Sequence, residues 1–216
     1  SDVPSSSFFP GIPKKDPINS FYNEGIYVGY RYYETFNIPT SYEFGYGLSY
    51  TNFEYSNIQL DTDTIGNIKV CVTLKNIGRK TGKEIVQLYI SAPTTEIDKP
   101  LYELKAFAKT TLLKPQESQI VSFLLSAKDL ASFQSGISSW VADKGEYILS
   151  IGASVKDIRQ KVSFHLPSSI LVEKVHDVLY PNFSIKDMNS ASRKVLKEIP
   201  PKRPTKRIPH DFLWHW

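Results

Sequence analysis

Between residues 52 and 166 hydrophobic side chains recur at every second position in several short runs, the period expected of strands that bury one face. Ile68, Val70, Val72 and Leu74 alternate with polar or small residues, which predicts a half-buried strand. Phe53 and Tyr55 are followed by Ile58 and Leu60, a change of parity that calls for an irregularity between the two pairs. The stretch 76–82 holds Gly78 and Gly82 among basic residues and reads as a turn, with a returning strand over 83–91. Pro93 and Pro100 mark a longer connection. Further strands are expected over 104–111, around Val121, Phe123 and Leu125 after a turn at 114–117, and over 139–142, 146–152 and 161–166. Ser126 can head a short helical turn through AKDLASF. Seven or so short strands separated by Gly, Pro and Asn turns predict a mainly β fold, an antiparallel β-sandwich.

The flanks follow other rules. Pro4, Pro10, Pro13 and Pro17 remove backbone donors at short intervals, so an extended path is expected before residue 24. The following run, EGIYVGYRYYETFNIPTSYEFGYGLSYT, belongs to a stretch from Tyr22 to Tyr55 that holds nine of the thirteen tyrosines. Large rings with a polar end sit where the ring is covered and the hydroxyl finds a partner. A segment punctuated by Gly25, Gly29, Pro39, Gly45 and Gly47 cannot bury them within itself, so it needs another surface. After the last strand, Leu171, Val175, Val178 and Leu179 share one helical face with Ser169 as a start, and a second helix is expected over 188–198. The end of the chain, IPPKRPTKRIPHDFLWHW, is proline-interrupted, basic and then aromatic.

The run EGIYVGYRYYE, the block YEFGYGLSYTNFEYS, and then KNIGRKTGKEIVQLYISAP, KPLYELKAFAKTTLLKPQES and WVADKGEYILSIGASVKDIR together resemble the C-terminal part of family 3 glycoside hydrolases. In that family the end of an α/β domain leads through a junction into a fibronectin type III-like domain, an immunoglobulin-like sandwich. The resemblance implies three parts: a junction segment over 1–51, the sandwich over 52–166, and a helical, Pro-rich basic extension over 167–216. It implies a β-glucosidase or β-xylosidase type of parent, with a periplasmic or secreted location favoured. The catalytic aspartate and glutamate of the family match no position here, so no catalytic residue and no cofactor are assigned. Ala106 and Gln116 stand where the family often has glycine, which bears on local turn geometry alone.

Composition adds limits. A hydrophobic fraction of 41% and a charged fraction of 22% are those of a globular chain. No apolar run approaches the roughly 20 residues that span a bilayer, so no membrane partner is expected. Cys71 is the only cysteine; it can form no intrachain disulfide and reads as a buried small hydrophobe. The net charge of +4 is concentrated at the end, where residues 190–216 carry seven Lys or Arg against two acids. A solvated or self-strapping run is the favoured reading of Lys202, Arg203, Lys206 and Arg207 over nucleic-acid binding.

Candidate chemistry is sparse. Glu24, Glu34 and Glu43 lie among the tyrosines with Arg31, and pairing with cations or backbone donors at a domain junction is favoured over a sugar site. Tyr27, Tyr30, Arg31, Tyr32, Tyr33, Phe44, Tyr46 and Tyr50 are the candidates for contact with the catalytic domains. Trp140 is the candidate for stacking on a sugar, against a favoured role in core packing. His165, His176, His210 and His215 have no spacing that suits a metal. Asn182, Phe183 and Ser184 match an N-glycosylation acceptor by letters. Two readings of function remain: a module that braces catalytic domains, and a carbohydrate-targeting module. An isolated module with its bracing face uncovered is also expected to self-associate.

Overall fold

A computed structural model describes residues 25–63, 67–95 and 97–175. Strands β1 (Phe53–Thr62), β2 (Ile68–Asn76) and β5 (Ser118–Leu125) form one antiparallel sheet in the order β1-β2-β5. Strands β3 (Ile85–Ser91), β4 (Glu103–Lys109), β8 (Gly145–Gly152) and β9 (Ile158–Leu166) form the facing sheet in the order β4-β3-β8-β9. A third, smaller sheet has the order β10-β7-β6, built from β6 (Ser132–Gln134), β7 (Ser139–Ala142) and β10 (Ile170–Lys174). The expected β-sandwich is therefore present, the expected strand over 139–142 is β7, and β6 and β10 are additions.

The period-two pattern explains the core. Ile68, Val70, Val72 and Leu74 of β2 meet Val121, Phe123 and Leu125 of β5 on one side, and Val86, Leu88, Ile90, Tyr147, Leu149 and Ile151 come from the other sheet. Tyr147 carries a polar end into this core without loss, because its hydroxyl donates to the Asp143 carbonyl at 2.7 Å while its ring stacks on Phe164. The parity change in β1 is a bulge: the register to β2 shifts between Ser56 and Gln59, and Asn57 takes a φ of 50°. One extra residue turns Ile58 and Leu60 back to the side on which Phe53 and Tyr55 are buried. Asparagine tolerates that left-handed backbone better than most residues.

Three expectations need correction. Cys71 belongs to the outward parity of β2, between buried Val70 and Val72; it is half-buried, with Sγ 3.2 Å from Ser122 Oγ. The same alternation that buries Val70 excludes its neighbour. The helix expected from Ser169 is instead β10 at its start, since Ile170 and Val172 turn toward the core and Leu171 and Glu173 turn out. The period of two prevails there because β7 offers an open edge; the remainder of that helix, the one expected over 188–198, the sequon and the basic tail lie outside the described residues. Trp140, finally, is not a core residue, as described below. The short helix α2 (Ala127–Leu130) does follow Ser126, whose N–H and Oγ–H both donate to the Asp129 carboxylate.

Two buried polar groups tie loops to this frame. Asn76 has no exposed surface and uses its whole amide: Nδ2 donates to the Lys80 and Leu113 carbonyls at 2.8 and 2.9 Å, and Oδ1 accepts from Thr51 Oγ1 at 2.6 Å and Gly78 N at 3.1 Å. Thr51 lies so close that a β-carbon at residue 78 would come within 2.2 Å of its hydroxyl, which is why glycine stands there. Lys99 and Asp143 form an ion pair of 2.6 Å with both side chains about 5% exposed or less. Lys99 also donates to the Pro93 carbonyl and Asp143 accepts from Gln134, so the long β3–β4 connection is fastened to the turn before β8. A buried pair of this kind fixes geometry more than it adds stability.

Two outcomes test this reading of the frame. Asn76→Ala leaves buried carbonyls at two turns without donors and is expected to lower unfolding free energy by about 2–4 kcal/mol in urea titration. Gln116 holds a φ of 67° in the turn before β5, where glycine is the strain-free residue. Gln116→Gly is therefore expected to raise stability by about 0.5–1 kcal/mol, read as a higher urea midpoint at unchanged slope.

Candidate functional site

Val86, Gln87, Leu88, Tyr89 and Ile90 of β3 are all buried, which a half-buried strand cannot achieve alone. Val86, Leu88 and Ile90 fill the core; Gln87 and Tyr89 point the other way and are covered by the junction segment. That segment carries one short helix, α1 (Tyr30–Thr35), entered through Gly29 at a φ of 59° and left through Asn37 at 52°. Tyr30 is its anchor. The ring stacks on Phe44 with centroids 4.6 Å apart and meets Tyr89 edge-on at 6.1 Å, and the hydroxyl oxygen accepts from Leu104 N at 2.8 Å. Burial, with the Tyr30 and Glu34 groups beside it, holds the Tyr89 phenol above its ordinary range. The Tyr89 hydroxyl donates to Gln87 Oε1, and Gln87 Nε2 donates to the Ala153 carbonyl at 2.6 Å.

The segment is pinned at both ends of this layer. Toward β4, Leu101 N donates to Thr35 Oγ1 at 2.9 Å and Arg31 pairs with Glu103 at 3.5 Å. Toward the β8–β9 turn, Ser154 Oγ donates to Glu43 at 2.9 Å, Val155 N donates to the Phe44 carbonyl at 3.1 Å and Lys156 pairs with Glu34 at 3.7 Å. Gly45 passes over Gln87 at a φ of 84°, where a β-carbon would lie within 2.9 Å of three amide atoms. Glu34 thus pairs with a cation as expected, whereas Glu43 accepts from a side-chain hydroxyl and not from a cation or backbone donor; Glu24 lies outside the described residues.

The other side of the same segment is open. Tyr50 is 98% exposed and Leu48 90% exposed, with Tyr42, Phe44 and Tyr46 beside them in sequence also exposed. Tyr42 and Tyr46 pair at 5.1 Å. Tyr27, Tyr32 and Tyr33 are half-buried and form a small cluster with Phe36, Tyr27 and Tyr32 each about 5 Å from its ring. The eight candidate contact residues therefore divide: Tyr30 and Phe44 join the module's own packing, Arg31 spends its charge on Glu103, and Tyr46 and Tyr50 face outward.

Trp140 of β7 is 38% exposed, contrary to the expected core role. It pairs across the small sheet with Phe133, ring centroids 5.5 Å apart and planes tilted by 59°. Its neighbours Ser139 and Val141 are buried on the opposite face of the strand, and Ala142, of the same parity as Trp140, is buried in the core. His165 is the one candidate histidine among the described residues, and no group of three His, Cys, Asp or Glu there is placed to hold a metal ion.

Sequence reasoning missed a cleft of about 960 Å³ between residues 45–53 and the ends of β3 and β9. Glu84, Asp157 and Arg159 line it. Arg159 donates through Nε and Nη2 to the two Asp157 oxygens and lies 5.8 Å over the Tyr55 ring. Burial pushes the Glu84 carboxyl above its usual range against the opposing effect of an Ile85 N–H bond and Arg159. The spacing of Asp157 and Arg159 puts both on one face of a strand start, but no local signal in the sequence joins them to Glu84.

Residues 84–155 match the family model of the fibronectin type III-like domain. Among curated proteins the chain is 39% identical over 208 residues to thermostable beta-glucosidase B of Acetivibrio thermocellus, covering 92% of this chain and 26% of that protein. It is 41% identical over 184 residues to beta-glucosidase A of Butyrivibrio fibrisolvens, covering 74% and 22%. Among solved structures, beta-glucosidase 3B from Thermotoga neapolitana in complex with glucose superposes with a TM-score of 0.72 at 48% identity, covering 78% of this chain and 23% of that one. The chain thus spans about a quarter of the length of these relatives, at their C-terminal region. The chain therefore matches the C-terminal, fibronectin type III-like region of family 3 glycoside hydrolases, the relatives above being β-glucosidases.

Proposed function

We propose that this chain is the accessory module of a family 3 glycoside hydrolase of β-glucosidase or β-xylosidase type, and that it braces the catalytic domains. The parent reaction is retaining hydrolysis of terminal β-linked sugars, which needs two carboxyl groups about 5 Å apart. Both belong to the catalytic part, and the module supplies neither. The observation that carries this reading is the two-sidedness of residues 42–50. One side is locked to β3 and the β8–β9 turn by Phe44, Gly45 and Glu43, while Tyr42, Tyr46, Leu48 and Tyr50 present an apolar strip outward. A rigid, aromatic-rich strip of this kind is the composition of an interface core.

Carbohydrate targeting is the second reading, and the outward Phe133–Trp140 pair favours it. The 59° tilt between those rings does not make the coplanar row that a polysaccharide chain lies on, so bracing is preferred. The open strip also gives the isolated chain a face for self-association, which size-exclusion chromatography over a concentration series would register.

Titration calorimetry of this chain against the purified catalytic portion of such an enzyme, and against β-glucans and xylan, separates the two. Bracing predicts saturable binding to the catalytic portion, none to the glycans, and no turnover of an aryl β-glucoside by the chain alone. The double variant Tyr46→Ala/Tyr50→Ala is expected to weaken that binding at least about tenfold with an unchanged melting temperature. Glycan binding abolished by Trp140→Ala, without association with the catalytic portion, would reverse the assignment.

A further inference from the structure

The cleft beneath residues 45–51 has a partly buried carboxylate that the charge of Arg159 reaches but that forms no ion pair among the described residues. Glu84 sits at the start of β3, its backbone fixed by exchange with Thr110 through Thr110 N to the Glu84 carbonyl and Glu84 N to Thr110 Oγ1, both at 2.9 Å. One carboxylate oxygen accepts from Ile85 N at 2.9 Å. Among the described residues, Glu84 takes part in none of the ion pairs. Of the cations lining the cleft, Arg159 is held by both oxygens of Asp157, and Lys83 and Lys109 are exposed on the rim. Glu43, the other acid there, accepts from Ser154. Nearby, the Tyr55 hydroxyl is buried and has no hydrogen-bond partner among the described residues, and the Glu84 charge reaches it. A half-buried carboxylate without a paired cation is a costly arrangement for a module on its own.

We propose that this cleft is a socket for a basic side chain, an arginine or lysine, delivered by the catalytic part of the same polypeptide, with Glu84 as its counter-ion. The inference rests on the bracing reading and adds its chemistry. The occupant follows from position: in the relatives the catalytic part precedes this region, and the junction segment through which it enters forms the roof of the cleft, between Glu43 and Phe53. Tyr46 and Leu48 line the cleft and give it apolar surface that excludes water once covered, which strengthens a charge pair inside. A guanidinium would in addition bring several donors to a site whose open groups are acceptors or hydroxyls.

Burial raises the folded-state pKa of Glu84, so its ionised form opposes folding of the isolated module. That penalty is present above the folded pKa and disappears as pH falls through it toward the unfolded value. Glu84→Gln keeps the shape and the acceptor for Ile85 N while removing the charge. It is therefore expected to raise the melting temperature of the isolated chain at neutral pH, by a margin that shrinks on acidification, which also shows that the variant folds. The same variant is expected to bind the catalytic portion at least about 30-fold more weakly in titration calorimetry, with a flatter dependence on salt. Wild-type binding matched by Glu84→Gln would overturn the socket and leave bracing intact. Absence of wild-type binding would overturn both. Shifts of the Glu84 and Gln87 amide resonances on addition of cellobiose, abolished by Glu84→Gln, would overturn the socket in favour of a saccharide site.

Discussion

Tyr89 points away from the core on a strand whose alternate residues fill it, and yet it has no exposed surface. The layer that covers it, Tyr30 and Phe44 above and Tyr102 at the side, converts the outer face of a four-stranded sheet into a second interior. That conversion decides the character of the module. A sandwich alone would show a polar outer face; here Gln87, Tyr89, Ser150 and Ser154 are buried, and their surroundings must satisfy them. The Tyr89–Gln87–Ala153 relay and the Ser154–Glu43 bond do so for three of them. Residues 30–45 are consequently part of the folded module.

Asn76 plays the corresponding part at the other end of the segment. By accepting from Thr51 it fixes the point where the junction becomes β1, and by donating to the Lys80 and Leu113 carbonyls it holds the two turns beside that point. The arch from Gly45 to Thr51 is therefore clamped at Gln87 and again at Asn76, and spans the cleft between them. Clamping both feet while leaving Leu48 and Tyr50 almost fully exposed is the arrangement of a preformed contact surface, which loses little conformational entropy on association.

The strands were legible because their burial is one-sided: the parity of β2 and the parity change at Asn57 are written locally, whereas the left-handed turn position at Gln116 was suggested only by the family resemblance. The density of tyrosines announced that residues 24–51 need a surface, and the sheet at Tyr89 is that surface. What stayed hidden depends on partners far apart in the chain. Nothing local marks Tyr89 as doubly covered, Asn76 as an amide with four bonds, or Glu84 as sharing a cleft with Arg159. Trp140 was misread because a tryptophan in a strand is usually buried, whereas here it is the smaller neighbours Ser139, Val141 and Ala142 that are buried. The start of the expected helix at Ser169 failed for a related reason: five residues fit either period, and the open edge of β7 chose the strand.

The central claim is that residues 42–50 form one layer shared by the sandwich and the catalytic domains. Hydrogen–deuterium exchange of this chain, alone and in complex with the catalytic portion, tests it directly. The account predicts new protection confined to residues 42–50 and the cleft beneath them, with no change at residues 133–140. Unchanged exchange over 42–50, with protection appearing instead around Trp140, would contradict it.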